Sequence, residues 1–204
     1  ISLWQTGSGT QTNMNMNEVI TNYANVTTNR KRGDKSFIHP NDDVNACQSS
    51  NDTFPVAMHI ALSLELVEKL LPELTRLKQA LETKISEFEG IIRVGRTHLQ
   101  DAVPIELSQS FSAYHQFITE SIDRIHISLD NLYELPIGAT AVGTGINTTA
   151  EFSTNVLNKL CEYTKLPFIS APNNFAALSG HSAVTNTSAQ LATLAAHLNK
   201  MAND

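Results

Sequence analysis

Residues 56–89, VAMHIALSLELVEKLLPELTRLKQALETKISEFE, decide the fold. Apolar side chains recur at Ile60, Leu64, Val67, Leu71, Leu74, Leu81, Ile85 and Phe88, and Leu66, Leu70 and Leu77 widen the stripe. Steps of three and four place these residues on one face of a long α-helix. Pro72 lies inside the run and predicts a kink or a split, because proline lacks the N–H that the preceding turn needs. Gly90 supplies a stop. A second stripe, Leu107, Phe111, Tyr114, Ile118, Ile122, Ile125, Leu129 and Leu132, predicts another long helix over about residues 105–135. Shorter helices are expected over 17–26 and 150–164, and from 174 onward through Val184, Thr187, Leu191, Leu194, Leu198 and Met201. No alternating strand pattern is read anywhere. The fold expected is therefore all-α, a long-helix bundle with a short, loop-rich N-terminal part. Both ends read as cut, since Ile1 is not Met and residues 201–204 stop inside a helical pattern. Residues 1–48 are assigned to the remainder of an N-terminal domain, and 49–204 to the first part of a central helical-bundle domain.

Composition excludes several classes of function. The formal net charge is −6, and no basic run exceeds Arg30-Lys31-Arg32, so the basic face that a nucleic acid requires is missing. No apolar run approaches a membrane span, and no signal peptide opens the chain. The two cysteines, Cys47 and Cys161, form no CxxC pair, which points to free thiols in a reducing compartment. Charged residues make up only 17% of the chain, low for an isolated monomer, so partner chains are expected to cover part of the surface.

Polar residues gather in two places. In 39–55, HPNDDVNACQSSNDTFP, the run Ser49-Ser50-Asn51-Asp52 precedes a helix and should present hydroxyls, amides and free N–H groups at its positive end, which suits a carboxylate. In 95–101, GRTHLQD, His98 stands among Thr97, Arg96 and Asp101 in a polar loop and is the best candidate for proton transfer. The histidines at 59, 115, 126, 181 and 197 fall in helical stretches and are read as ordinary core or surface residues. Metal binding by His39, Asp42 and Asp43 lacks a recognisable ligand spacing, and a helix-capping loop is the better reading. There is no nucleotide-binding or nucleophile-elbow motif. Neutral donors around one histidine suit addition or elimination on a small carboxylate. A helix of about 35 residues is on the order of 50 Å long, so Ser50 and His98 should not meet within one chain. Either each cluster serves a separate site, or an antiparallel neighbour brings the end of one helix beside the start of another; the second, a homo-oligomer with shared sites, is expected.

Three ordered segments, SGTQTNMNMNE, HPNDDVNACQSSND and GRTHLQD, make the chain resemble the fumarase/aspartase superfamily, and within it the class II fumarate hydratases. The likeness extends through GATAVGTGINT and APNNFAAL. Aspartases typically read NPNDHVN, QSTND and GRTQLQD, whereas His39, Asp43, Ser50 and His98 here match the fumarase form. The resemblance implies reversible hydration of fumarate to (S)-malate through an aci-carboxylate, without metal or organic cofactor. It also implies a homotetramer with each active site drawn from several subunits, in the cytoplasm or the mitochondrial matrix of a eukaryote. Carried over by position, Ser8, Gly9, Thr10, Asn45, Ser49, Ser50, Asn51 and Thr97 hold substrate, and His98 is the acid/base residue. His39, Pro40, Asn41 and Asp42 match the family's second dicarboxylate site. The family's third motif, GSSxMPxKxNP, with its catalytic Ser, is not among the 204 residues, so this chain alone is expected to be inactive. The alternatives are an aspartate ammonia-lyase of the same fold and a non-catalytic structural relative.

Overall fold

In a computed structural model describing residues 2–204, the stripe of residues 56–89 is helical along almost its whole length. Helix α1 is Thr10–Thr27, α2 is Ser50–Glu65 and α3 is Leu71–Glu87. The strands β1, Ile92–Thr97, and β2, Gln100–Glu106, precede α4, Leu107–Leu132. A two-residue strand β3, Glu134–Leu135, pairs in parallel with β4, Ile169–Ser170, and α5, Phe152–Thr164, lies between them in sequence. The chain ends with α6, Asn174–Ser179, and α7, Ser182–Asn203.

The contacts define two compact units, Ile1–Leu62 with Leu132–Ser182 and Ser63–Asn131 with Ala183–Asp204. The first buries Val56, Leu135, Ile137, Leu157, Leu166 and Phe168. The second buries Leu71, Leu74 and Leu81 from α3, Ile118 and Ile125 from α4, and Leu194 from α7. These belong to the stripes read from the sequence. Pro72 does not break the run: residues 50–87 are helical without interruption, Leu66–Leu70 form a π-helical turn, and Pro72 follows in the first turn of α3.

Three local expectations need correction. The loop read at 95–101 is part of a β-hairpin, with β1 and β2 antiparallel and Thr97 opposite Gln100. Its two turn residues, His98 (φ 50°) and Leu99 (φ 61°), are both left-handed, as the tight two-residue hairpin turn demands. Gly95 permits the close pairing, since a Cβ there would lie 2.8 Å from the Val103 carbonyl oxygen. Helix α1 begins at Thr10 rather than 17, because Asn13 and Asn17 find tertiary hydrogen bonds that the polar segment alone cannot announce. Helix α2 starts at Ser50, which leaves Pro55 inside it. The start is fixed by a reciprocal cap: Asn51 N–H donates to Ser49 Oγ (3.2 Å), and Ser49 N–H donates to Asp52 Oδ1 (2.9 Å).

Candidate active site

Two helix N-termini and one glycine-rich loop build the site in the first unit. The approach to α1 turns at Gly9, whose φ of 79° and close contact with a ring together exclude a side chain: an added Cβ would sit 2.2 Å from Phe54 Cγ. Ser8, just before that turn, shares a 3.0 Å hydrogen bond with the Thr6 hydroxyl. From α1, Asn13 donates to Ser50 Oγ (2.9 Å) and to Asn45 Oδ1 (3.0 Å), and Asn17 donates to the same Asn45 oxygen (3.1 Å). Because Ser50 accepts from Asn13, its own proton is available, and it meets no acceptor among the described residues.

The loop over residues 138–147 is held to α2 by two consecutive side chains. Asn51 Nδ2 donates to the Ala141 carbonyl (2.8 Å), and Asp52 Oδ2 accepts the N–H of Thr140 (2.8 Å). Asp52 is completely buried. Burial raises its pKa above the ordinary 3.8, against the N–H groups of Ser49 and Thr140, which pull the other way. Thr140 itself is held at a left-handed φ of 60°, a conformation that the Asp52 bond helps to impose.

This framework encloses two open cavities on either side of Ala141. One, of about 420 Å³, is lined by Ser8, Ser50, Asn51, Phe54, Met58 and His181 among others. The other, of about 460 Å³, is lined by Asn45, Ser49, Thr140, Thr144 and Asn147 among others. No carboxylate lines either. In the second unit, Thr97 and His98 stand exposed at the hairpin turn, with the adjacent Arg96 paired to Asp101 (3.2 Å). The His98 imidazole meets no hydrogen-bond partner among the described residues.

A model of the lyase family matches residues 1–204. The chain belongs to that lyase family. It is 52% identical over 202 residues to the mitochondrial fumarate hydratase of Homo sapiens, covering 99% of this chain and 40% of that one. It is 50% identical over 204 residues to the class II fumarate hydratase of Helicobacter pylori strain J99, covering 100% of this chain and 44% of that one. The crystal structure of class II fumarase from Schistosoma mansoni superposes with a TM-score of 0.96 at 40% identity, over 100% of this chain and 46% of that one. The chain thus spans less than half the length of these relatives.

In this lyase-family chain the residues singled out from sequence fall into four places. Ser8, Ser50 and Asn51 line the first cavity, with Gly9 and Thr10 at the turn into α1 beside it in sequence. Asn45 and Ser49 line the second cavity, and the Asn45 side chain is engaged by Asn13, by Asn17 and by its own bond to the Gln48 carbonyl. Thr97 and His98 belong to the hairpin. His39, Pro40, Asn41 and Asp42 open a π-helical turn, Pro40–Val44. There His39 Nδ1 accepts the N–H of Asn41 (3.3 Å) and of Asp42 (3.1 Å). The Asp42 carboxylate lies 3.3 Å from the same nitrogen. His39 N–H is spent on Asp43 (2.7 Å).

Sequence reasoning gave no role in the site to Asn13, Asn17, Thr140, Ala141 or His181, and placed Asp52 only in the polar run that starts a helix. Asp52 alone carried a local signal, the Ser49-x-x-Asp52 spacing of a capping box. Among the described residues no group of three or more His, Cys, Asp or Glu side chains converges as a metal set would, and no helix is long and apolar enough to cross a membrane.

Proposed function

We propose that the protein containing this chain hydrates fumarate reversibly to (S)-malate. The observation that carries the reading is the cavity at the starts of α1 and α2, where hydroxyl and amide groups face a space without any carboxylate. Helix N-termini add positive potential there, and a dicarboxylate is the small substrate that such a site favours. The identities of 50–52% with fumarate hydratases support the same substrate. Ser8, Gly9, Thr10, Asn45, Ser49, Ser50 and Asn51 hold it from one subunit, and Thr97 and His98 reach it from another. Starting from malate, a base takes the proton from the carbon beside one carboxylate, and the electron pair moves into that carboxylate as an aci-form stabilised by the donors. The hydroxyl on the neighbouring carbon then leaves with a proton as water, and His98 is the residue that moves the proton at that water. His39, Pro40, Asn41 and Asp42, at the start of the turn at 39–44, are the accessory dicarboxylate site.

Assembly into a homotetramer follows from the same reading. The hairpin leaves Leu99 93%, Val103 70% and Ile92 65% exposed, and α1 leaves Met16, Val19, Ile20, Tyr23 and Val26 on its open face. Apolar surface of this extent is what partner chains cover. The compartment is the cytoplasm, or the mitochondrial matrix in a eukaryote. A mixing experiment tests function and sharing together. Ser50→Ala and His98→Asn enzymes, each with little fumarate hydration alone, should regain activity when denatured and refolded as a mixture, since hybrid tetramers contain sites with both native residues. No regain in hybrids shown to form by mass would overturn the shared site.

A further inference from the structure

His181 was an ordinary histidine in the sequence, yet it lines the same cavity as Ser8, Ser50 and Asn51. It occupies the break between α6 and α7, directly after Gly180, whose extended backbone (φ −145°, ψ 154°) ends α6. His181 is exposed, but three observations distinguish it from an ordinary surface histidine. The lining contains no carboxylate, so nothing in the cavity pairs with its ring. The imidazole has no hydrogen-bond partner among the described residues, while the neighbouring histidine is fully committed: His59 is 9% exposed and lies with Nδ1 3.1 Å from the Leu132 carbonyl oxygen, which can only accept. Burial holds His59 below its ordinary 6.5, with a smaller push in the same direction from the nearby His181. Phe54, Pro55, Met58 and Leu178 supply the apolar wall against which a charged or donor group binds more strongly than in open water.

We propose that His181 is a substrate-binding residue of this cavity, donating a ring N–H to a carboxylate of the bound dicarboxylate. This rests on the fumarate and malate reading of the site. At about 420 Å³ the cavity is ample for a four-carbon diacid. The role is positioning through the carboxylate, distinct from the proton transfer given to His98.

Two substitutions in the intact enzyme test it. His181→Phe keeps a flat ring without a donor, and His181→Gln keeps a donor without the ring. The Phe variant should raise KM for malate and fumarate about 10–100-fold, the worth of a charge-assisted hydrogen bond, with a smaller change in kcat. The Gln variant should stay within about 3-fold of the native KM, because a neutral donor replaces part of that bond. If the Phe variant fails to fold, His181→Ala is read in its place. A native KM in the Phe or Ala variant overturns the proposal, as does a Gln variant impaired more than Phe, which is the signature of ring packing. Should the native enzyme prove unable to turn over fumarate, the functional reading fails on its own, and calorimetric binding of succinate decides for His181. Weakened binding in Phe but not Gln supports it, whereas equal affinities, or no succinate binding by the native protein, overturn it.

Discussion

Replacing His98 by Asn should lower kcat for fumarate hydration by about 10²–10⁴-fold, the usual worth of a positioned acid/base group, and leave the hairpin intact. The choice of Asn follows from the backbone. His98 (φ 50°) and Leu99 (φ 61°) occupy left-handed positions that cost a histidine and a leucine free energy, and the pairing of Thr97 with Gln100 holds them there. Asn tolerates that conformation better than any other non-glycine residue, so the substitution relieves the turn while removing the imidazole. Loss of activity with an unchanged or slightly raised melting temperature therefore locates the effect in proton transfer. Turnover like the native enzyme's would remove His98 from the mechanism.

Replacing Asp52 by Ala should cost about 2–5 kcal/mol of stability, because it leaves the buried N–H groups of Ser49 and Thr140 without acceptors. For a chain of this size that corresponds to a fall in melting temperature of about 5–15 °C. The loop over 138–147 should loosen first, since Thr140 would no longer be held in its left-handed conformation. The variant also changes the pH profile. Burial raises the Asp52 pKa in the folded chain above 3.8, so the carboxyl keeps its proton longer when folded than when unfolded. Its contribution is then complete below pH 3.8 and declines as pH rises through the folded value. In Asp52→Ala that decline disappears, so the loss relative to the native chain should be larger on the acid side of this window than above it. Denaturant titrations at several pH values measure both effects. An unchanged midpoint would mean that neither N–H depends on Asp52.

What the sequence revealed follows from the range of the interactions concerned. The stripes of α3 and α4 are local patterns, each apolar residue lying three or four positions from the next, and both helices formed where the pattern placed them. Pro72 was read as a kink or a split, and the helical run continues through it. The hairpin was not legible. Its turn residues are His98 and Leu99, not the Asn-Gly or Gly pairs that mark such turns, and its strands pair through Gly95 at a contact eight residues away. The start of α1 was lost because Thr10, Thr12, Asn13 and Asn15 favour turns on their own. Only bonds from Asn13 and Asn17 to residues 28 to 37 positions distant make the helix worthwhile. His181 was missed on the same ground: it sits more than 120 positions from Ser50 and Asn51, and nothing local distinguishes it from His126, which is an ordinary exposed residue of α4. Motif resemblance found Ser8, Ser50 and Asn51, and the fold added the groups that hold them.

The most direct measurement is the ultraviolet absorbance of fumarate mixed with the purified intact enzyme, with (S)-malate and ammonia assayed in parallel. The account predicts that absorbance falls as (S)-malate forms in equal amount, and that aspartate releases no ammonia. Unchanged fumarate absorbance, with ammonia released from aspartate, would contradict it.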